Sequence, residues 1–138
     1  TRAILKSFME EDETWAVVLR SNSQLLGSFG LHRDAMRGSE IKARALGYVL
    51  AEEAWGHGYA TEAAQRVLSF AFEEFGLELV SVCHFPFNAR SRRVIEKCGF
   101  RYEGTIRHAY RRYDNTVLDS CCYSIMREEY LALKENAQ

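Results

Sequence analysis

A chain of 138 residues suits one compact domain with its own core, and 47% apolar with 27% charged residues excludes a disordered chain. A formal net charge of -1 excludes a global basic field that would draw the protein to nucleic acid or an anionic membrane. No apolar run is long enough to span a bilayer, and Thr1 to Phe8 lack the layout of a secretory signal.

The pattern Trp15, Val17, Leu19 alternates with Ala16, Val18 and Arg20 and predicts the first clear strand near Trp15. With no initiating Met, the chain reads as an N-terminally incomplete domain. Ser21-Asn22-Ser23 supplies turn chemistry, and Gln24 to Leu31 is the expected return strand of a hairpin, with Gly27 and Gly30 marking close backbone approach. After a polar loop at 33–39, Ile41 to Leu50 predicts a third strand. The period then changes. Ala60, Ala63, Ala64, Val67, Leu68, Ala71, Phe72 and Phe75 form one apolar helix face, closed by Gly76.

Leu77 to Phe85 reads as a buried central strand, ended by Pro86. Asn88 is placed to cap a second helix running to about Lys97, with Gly99 at its left-handed end. Strands near Tyr102 to Arg112 and Val117 to Met126 are joined by a turn at Asp114-Asn115, and a short polar tail closes the chain. The expected class is α/β, a mixed sheet with helices packed on it, in one domain over 1–138. Cys83, Cys98, Cys121 and Cys122 have no Cys-x-x-Cys spacing and no clustered histidines. They are expected as buried free thiols in a reducing compartment, the cytoplasm, with no metal site.

Between Leu50 and Ala60 lies Ala51-Glu52-Glu53-Ala54-Trp55-Gly56-His57-Gly58-Tyr59. Two glycines one residue apart at a helix start let backbone approach a ligand, and the unpaired N–H groups of the first turn favour an anion such as phosphate. The bland reading is a connecting turn. A dinucleotide fingerprint would need a third glycine, and a P-loop would need Gly-Lys-Ser/Thr; neither is present.

Gly47-Tyr48-Val49-Leu50, then WGHGYATEA at 55–63, NARSRRVIEKCGF at 88–100 and Glu103-Gly104, resembles the GCN5-related N-acetyltransferase (GNAT) superfamily and, within it, the RimJ/RimL-like branch. The resemblance runs from Trp15 to Tyr130. It implies a seven-stranded mixed sheet that splays in its middle, with acetyl-CoA in the split as co-substrate, no metal, and an amine acceptor. The family's opening strand and first helices have little or no counterpart in the sequence, and Trp55 replaces the usual first residue of the glycine motif.

On that resemblance Gly56, His57, Gly58, Tyr59, Ala60 and Thr61 match the pyrophosphate loop. Tyr48, Val49 and Leu50 match the strand edge that pairs with pantetheine, the Leu50 N–H being the oxyanion donor. Asn88 and Ser91 match the start of the helix beside the pantetheine, although capping alone would look the same in sequence. Ser91 is the expected acid for the departing thiolate, since the family's helix tyrosine falls on Ile95, and Tyr123 is the fallback. No general base stands out, because family positions fall on Ala45 and Tyr110; His32, Glu40 and His108 are weaker candidates. Arg90, Arg92 and Arg93 could meet a 3′-phosphate or simply form a solvated face.

The resulting expectation is direct acetyl transfer to a peptide N-terminus, polyamine or antibiotic-like amine. The alternative is a non-catalytic CoA-binding module of the same fold. An edge strand leaves room for a homodimer; neither nucleic acid nor membrane is expected as partner.

Overall fold

The computed structural model describes residues 3–9 and 13–137; Thr1 and Arg2 of the segment read for a signal lie outside the described residues. Among the described residues, seven strands form one mixed sheet in the order β1-β2-β3-β4-β5-β7-β6. Strands β1 (Ala3–Met9), β2 (Glu13–Leu19), β3 (Leu25–Arg33) and β4 (Ala43–Leu50) are antiparallel neighbours. β5 (Leu79–His84) joins β4 in parallel, and β7 (Val117–Met126) with β6 (Arg101–Arg111) completes the sheet antiparallel. The parallel step needs a crossover. Helix α1 (Tyr59–Ser69), continued by a π-helical turn at Phe70–Glu74, supplies it.

Two expectations are corrected. The first strand is β1 rather than one near Trp15: Ala3–Met9 pairs along β2, from Ala3↔Leu19 to Met9↔Thr14. Its sequence mixes polar and apolar residues without clean alternation, so periodicity did not mark it. The terminal segment is a helix, α3 (Arg127–Asn136), and not a polar tail. It docks through few apolar side chains. Tyr130 stacks on Phe72 at 5.0 Å, and Glu129 receives the Met126 N–H at 2.8 Å to close the first turn.

The other elements form where their patterns place them. Helix α1 buries Ala63, Ala64, Val67 and Leu68, and Gly76 closes the crossover at φ 66. Helix α2 (Ala89–Lys97) is capped by Asn88, whose Oδ1 accepts from the Ser91 N–H at 3.1 Å. Gly99 follows at φ 89, and a Cβ there would also meet Leu133 Cδ1 at 2.3 Å. Phe29, Leu31, Val67, Phe72, Val80, Ile95 and Ile125 fill the core between sheet and helices, each worth roughly 1.5–3 kcal/mol on burial.

Side chains on β4 alternate between two environments. Leu46 and Tyr48, paired with Leu31 and Phe29, face the helices. Ala45, Gly47 and Val49 face the other way, where Val49 is 70% exposed. Gly27 is required by close approach, since a Cβ there would lie 2.1 Å from the Val49 carbonyl oxygen.

Pairing between β4 and β5 covers only Ala43–Leu46 with Leu79–Val82. Beyond it the strands separate, as the resemblance implied for the middle of the sheet. Gly47 to Leu50 form one prong of the fork, and Cys83 and His84 form the other.

The docking of α3 is sensitive to acid. Glu73 receives hydrogen bonds from Lys134 Nζ at 2.7 Å, Tyr130 and Ser69, which hold its carboxyl down to about 2 from an ordinary 4.5. A depressed carboxyl contributes stability that is complete above pH 4.5 and is lost as pH falls toward about 2. Thermal unfolding followed by circular dichroism should show a falling Tm through that interval, and Glu73→Gln should flatten that part of the profile.

Candidate active site

The fork exposes backbone groups of known direction. The Ala51 N–H donates to the Leu26 carbonyl at 2.7 Å, so it points at β3. Successive amides on a strand point to opposite sides, so the N–H and C=O of Leu50 and of Tyr48 point away from β3 into the opening. The Leu50 carbonyl bears this out, because it accepts from Trp55 Nε1 at 3.0 Å rather than from a strand. Among the described residues, pairing with β5 ends at Leu46, short of the Leu50 amide.

The glycine loop has the geometry its composition suggested. Gly56 and Gly58 both lie at φ 80, a region costly for other residues. Gly58 is the N-cap of α1 and no side chain caps that helix, in contrast to Asn88 on α2. The first α-helical bond runs from the Glu62 N–H to the Gly58 carbonyl at 3.1 Å. The amides of Tyr59, Ala60 and Thr61 precede it and, with the helix dipole, form an anion-binding end. His57 contributes a ring stacked on Tyr59 at 5.3 Å.

Trp55 has a role that its sequence position did not disclose. Its indole holds Leu50 on one side, while Arg90 Cζ of α2 lies 4.1 Å above its ring. The loop is thereby tied to both the strand end and the second helix. Arg92 pairs with Glu96 at 3.4 Å with both side chains well exposed, the solvated-face reading of the arginine cluster.

Opposite the loop, Tyr48 Oη and Ser91 Oγ are 2.6 Å apart. Burial pushes the Tyr48 phenol above its ordinary range, against a smaller opposing effect of the Ser91 bond, so both partners are neutral hydroxyls. The Ser91 amide is capped by Asn88, and its hydroxyl bonds the Tyr48 phenol. Tyr123 on β7 is 6% exposed and is also raised chiefly by burial. Its hydroxyl lies 3.1 Å from Nε2 of His84, a buried residue that sequence reasoning passed over. The available signal was a polar side chain inside the apolar run Leu77 to Phe85.

The weaker base candidates are scattered. His32 lies opposite Ala45 on the face away from the helices. Glu40 is exposed in the loop at the far end of β4 from Leu50. His108 sits at φ 54 in a β6 irregularity, its N–H bound to Asp119 at 3.0 Å. Ile95 is 1% exposed in the core and offers no acid, and Tyr110 is exposed against Phe85.

The cysteines are free, as expected, but not all buried: Cys98 and Cys122 are, whereas Cys83 is exposed at the residue level. Cys83 lies just past the end of pairing with β4, which opens it to solvent. Desolvation of its sulfur nevertheless pushes the thiol up to about 11, and burial pushes Cys98 up to about 12. Thiols held so high carry almost no thiolate at neutral pH and are poor nucleophiles. Among the described residues no cluster of three or more metal-ligating side chains occurs.

A fork with an outward amide, an uncapped helix start behind paired left-handed glycines, and a hydroxyl pair involving the next helix lie at one end of the sheet. Over residues 1–101 the sequence matches the acetyltransferase (GNAT) domain. The chain belongs to the GNAT acetyltransferase family. It is 31% identical over 113 residues to the "Uncharacterized N-acetyltransferase YoaA" of Bacillus subtilis (strain 168), covering 82% of this chain and 62% of that protein. It is 33% identical over 90 residues to the "FsC-acetyl coenzyme A-N(2)-transacetylase" of Aspergillus fumigatus, covering 64% of this chain and 38% of that one. The crystal structure of a GNAT-family acetyltransferase from Bacillus anthracis superposes with a TM-score of 0.75 at 31% identity, covering 84% of this chain and 67% of that chain. This chain therefore spans less than two thirds of the length of either curated relative.

If the loop receives the pyrophosphate of acetyl-CoA through its backbone, Gly58→Ala should weaken acetyl-CoA binding about tenfold through left-handed strain, while His57→Ala should change it less than about twofold. Trp55→Phe keeps a ring under Arg90 but removes the donor to Leu50. Calorimetry should find roughly fivefold weaker binding, the worth of one modest hydrogen bond.

Proposed function

We propose that this domain is an N-acetyltransferase of the RimJ/RimL-like branch, moving an acetyl group from acetyl-CoA to a primary amine by direct transfer in a ternary complex. The acceptor is a protein N-terminus or a small-molecule amine, and the site of action is the cytoplasm. One observation carries the reading: past Leu46 and Val82 the sheet opens, and the Leu50 N–H faces that opening with its own carbonyl already held by Trp55. An amide fixed in this way polarises a thioester carbonyl without reorganising during reaction.

The residues present suit coenzyme A. Gly56, His57, Gly58, Tyr59, Ala60 and Thr61 would receive its pyrophosphate, where the loop is open: a Cβ built on Gly56 meets nothing within 4 Å. Tyr48 and Leu50 would pair with the pantetheine amides along the free edge, while Val49, placed between them, turns its own backbone groups to β3. Asn88 and Ser91 flank its sulfur end, and Ser91, bonded to Tyr48, protonates the leaving thiolate. The high-lying Cys83 and Cys98 thiols favour direct transfer over an acyl-enzyme.

Calorimetry should find stoichiometric acetyl-CoA binding, and thiol release should appear with at least one of three amines: a peptide with a free N-terminus, spermidine or an aminoglycoside. Binding without turnover would instead assign a non-catalytic module, and no binding would sink both readings. Ser91→Ala should lower kcat by about 10²-fold while changing acetyl-CoA affinity far less; an unaltered kcat would move the acid role to Tyr123 or water.

A further inference from the structure

No carboxylate occupies the base positions, yet transfer requires an acceptor nitrogen with a free lone pair. The fork carries another proton acceptor. His84 is the last residue of β5, two positions beyond the end of pairing with β4, and is 7% exposed. Its Nδ1 lies 2.7 Å from the Phe85 carbonyl oxygen and its Nε2 lies 3.1 Å from Tyr123 Oη. A carbonyl only accepts, so Nδ1 carries the hydrogen. In the neutral ring Nε2 is then the bare nitrogen, and the Tyr123 hydroxyl donates to it. The tyrosine proton is thus directed at His84, and the phenol lone pairs remain for another donor.

We propose that Tyr123 and His84 form the base of this acetyltransferase: Tyr123 Oη receives the acceptor's proton and His84 Nε2 receives the proton of Tyr123. This rests on the functional reading above and deepens it. Tyr123 is the catalytic residue, and His84 is the positioning residue that acts through it. The protons balance. As the nitrogen–carbon bond forms and the carbon–sulfur bond breaks, the nitrogen's proton passes to Oη and the phenol's proton to Nε2, leaving an imidazolium bonded to Phe85 and Tyr123. The sulfur takes its proton from Ser91, and exchange with water returns His84 and Ser91 to their starting states. This gives Tyr123 the part of base in place of the acid role held in reserve for it, because its proton is directed at His84.

The groups facing the pair are Arg92 and Glu96 from α2, Tyr102 from β6 and Cys121 from β7. The two α2 charges are of opposite sign and paired with each other. With acetyl-CoA and the most active amine of the three named above, His84→Gln should lower kcat on the order of 10²-fold, with KM for the amine, acetyl-CoA affinity and circular dichroism unchanged. Tyr123→Phe should give a similar loss, and the double variant should be no worse than either single one. Independently of turnover, long-range proton–nitrogen NMR should show His84 protonated at Nδ1 and bare at Nε2, with Tyr123→Phe moving the Nε2 resonance alone. Wild-type turnover in His84→Gln, or a ring protonated at Nε2 at neutral pH, would overturn the relay and leave the acetyltransferase reading standing. Absence of turnover in the wild-type protein itself would overturn both.

Discussion

The site depends on where the parallel pairing of β4 and β5 stops. Four residues of each strand are in register, from Ala43↔Leu79 to Leu46↔Val82, and then the ladder ends inside the sheet rather than at its rim. An unpaired amide in such a place costs on the order of 1–3 kcal/mol if water cannot reach it. Here the opening admits solvent or a ligand, and the most constrained carbonyl at the strand end is satisfied by the Trp55 indole. The sheet therefore offers backbone donors at its centre, where neighbouring strands fix their direction.

The closed end of the fork is held by a polar chain on the face away from the helices. Ser81 Oγ donates to Asp34 at 2.7 Å across β4, Asp34 accepts from Arg37 at 2.7 Å, and Arg37 makes a two-oxygen contact with Glu103 on β6. Burial alone would raise the Asp34 carboxyl, but the bonds from Ser81, Arg37 and the Met36 amide hold it below its usual range. The cluster ties β5, the end of β3 and β6 together beside the residues that remain paired. Pairing at one end and divergence at the other are thus separately supported.

Much of this was legible in the sequence, for identifiable reasons. Helix α1 carries a continuous apolar stripe and Gly76, and α2 carries Asn88 and Gly99, signals that depend only on local geometry. Gly56 and Gly58 were readable for the same reason, since left-handed backbone leaves a compositional trace. Strand β1 and helix α3 were not, because each is held largely by partners elsewhere in the chain: β1 by the ladder with β2, α3 by Glu73, Phe72 and Gly99. His84, Asp34 and the tether made by Trp55 escaped for a related reason. Their significance lies in which strands become neighbours, and one polar residue in an apolar run does not say what it will face.

Trp55 has a consequence for how the two ends of the site communicate. One ring fixes the carbonyl of Leu50, lies beneath Arg90 of α2 and belongs to the loop whose amides await an anion. Displacing the loop would pull on the strand end and loosen the cation above it in the same movement. On the proposed reading, occupancy at the phosphate end and alignment at the carbonyl end are linked quantities, and a partial ligand such as a bare nucleotide diphosphate would stiffen a reaction centre it never touches.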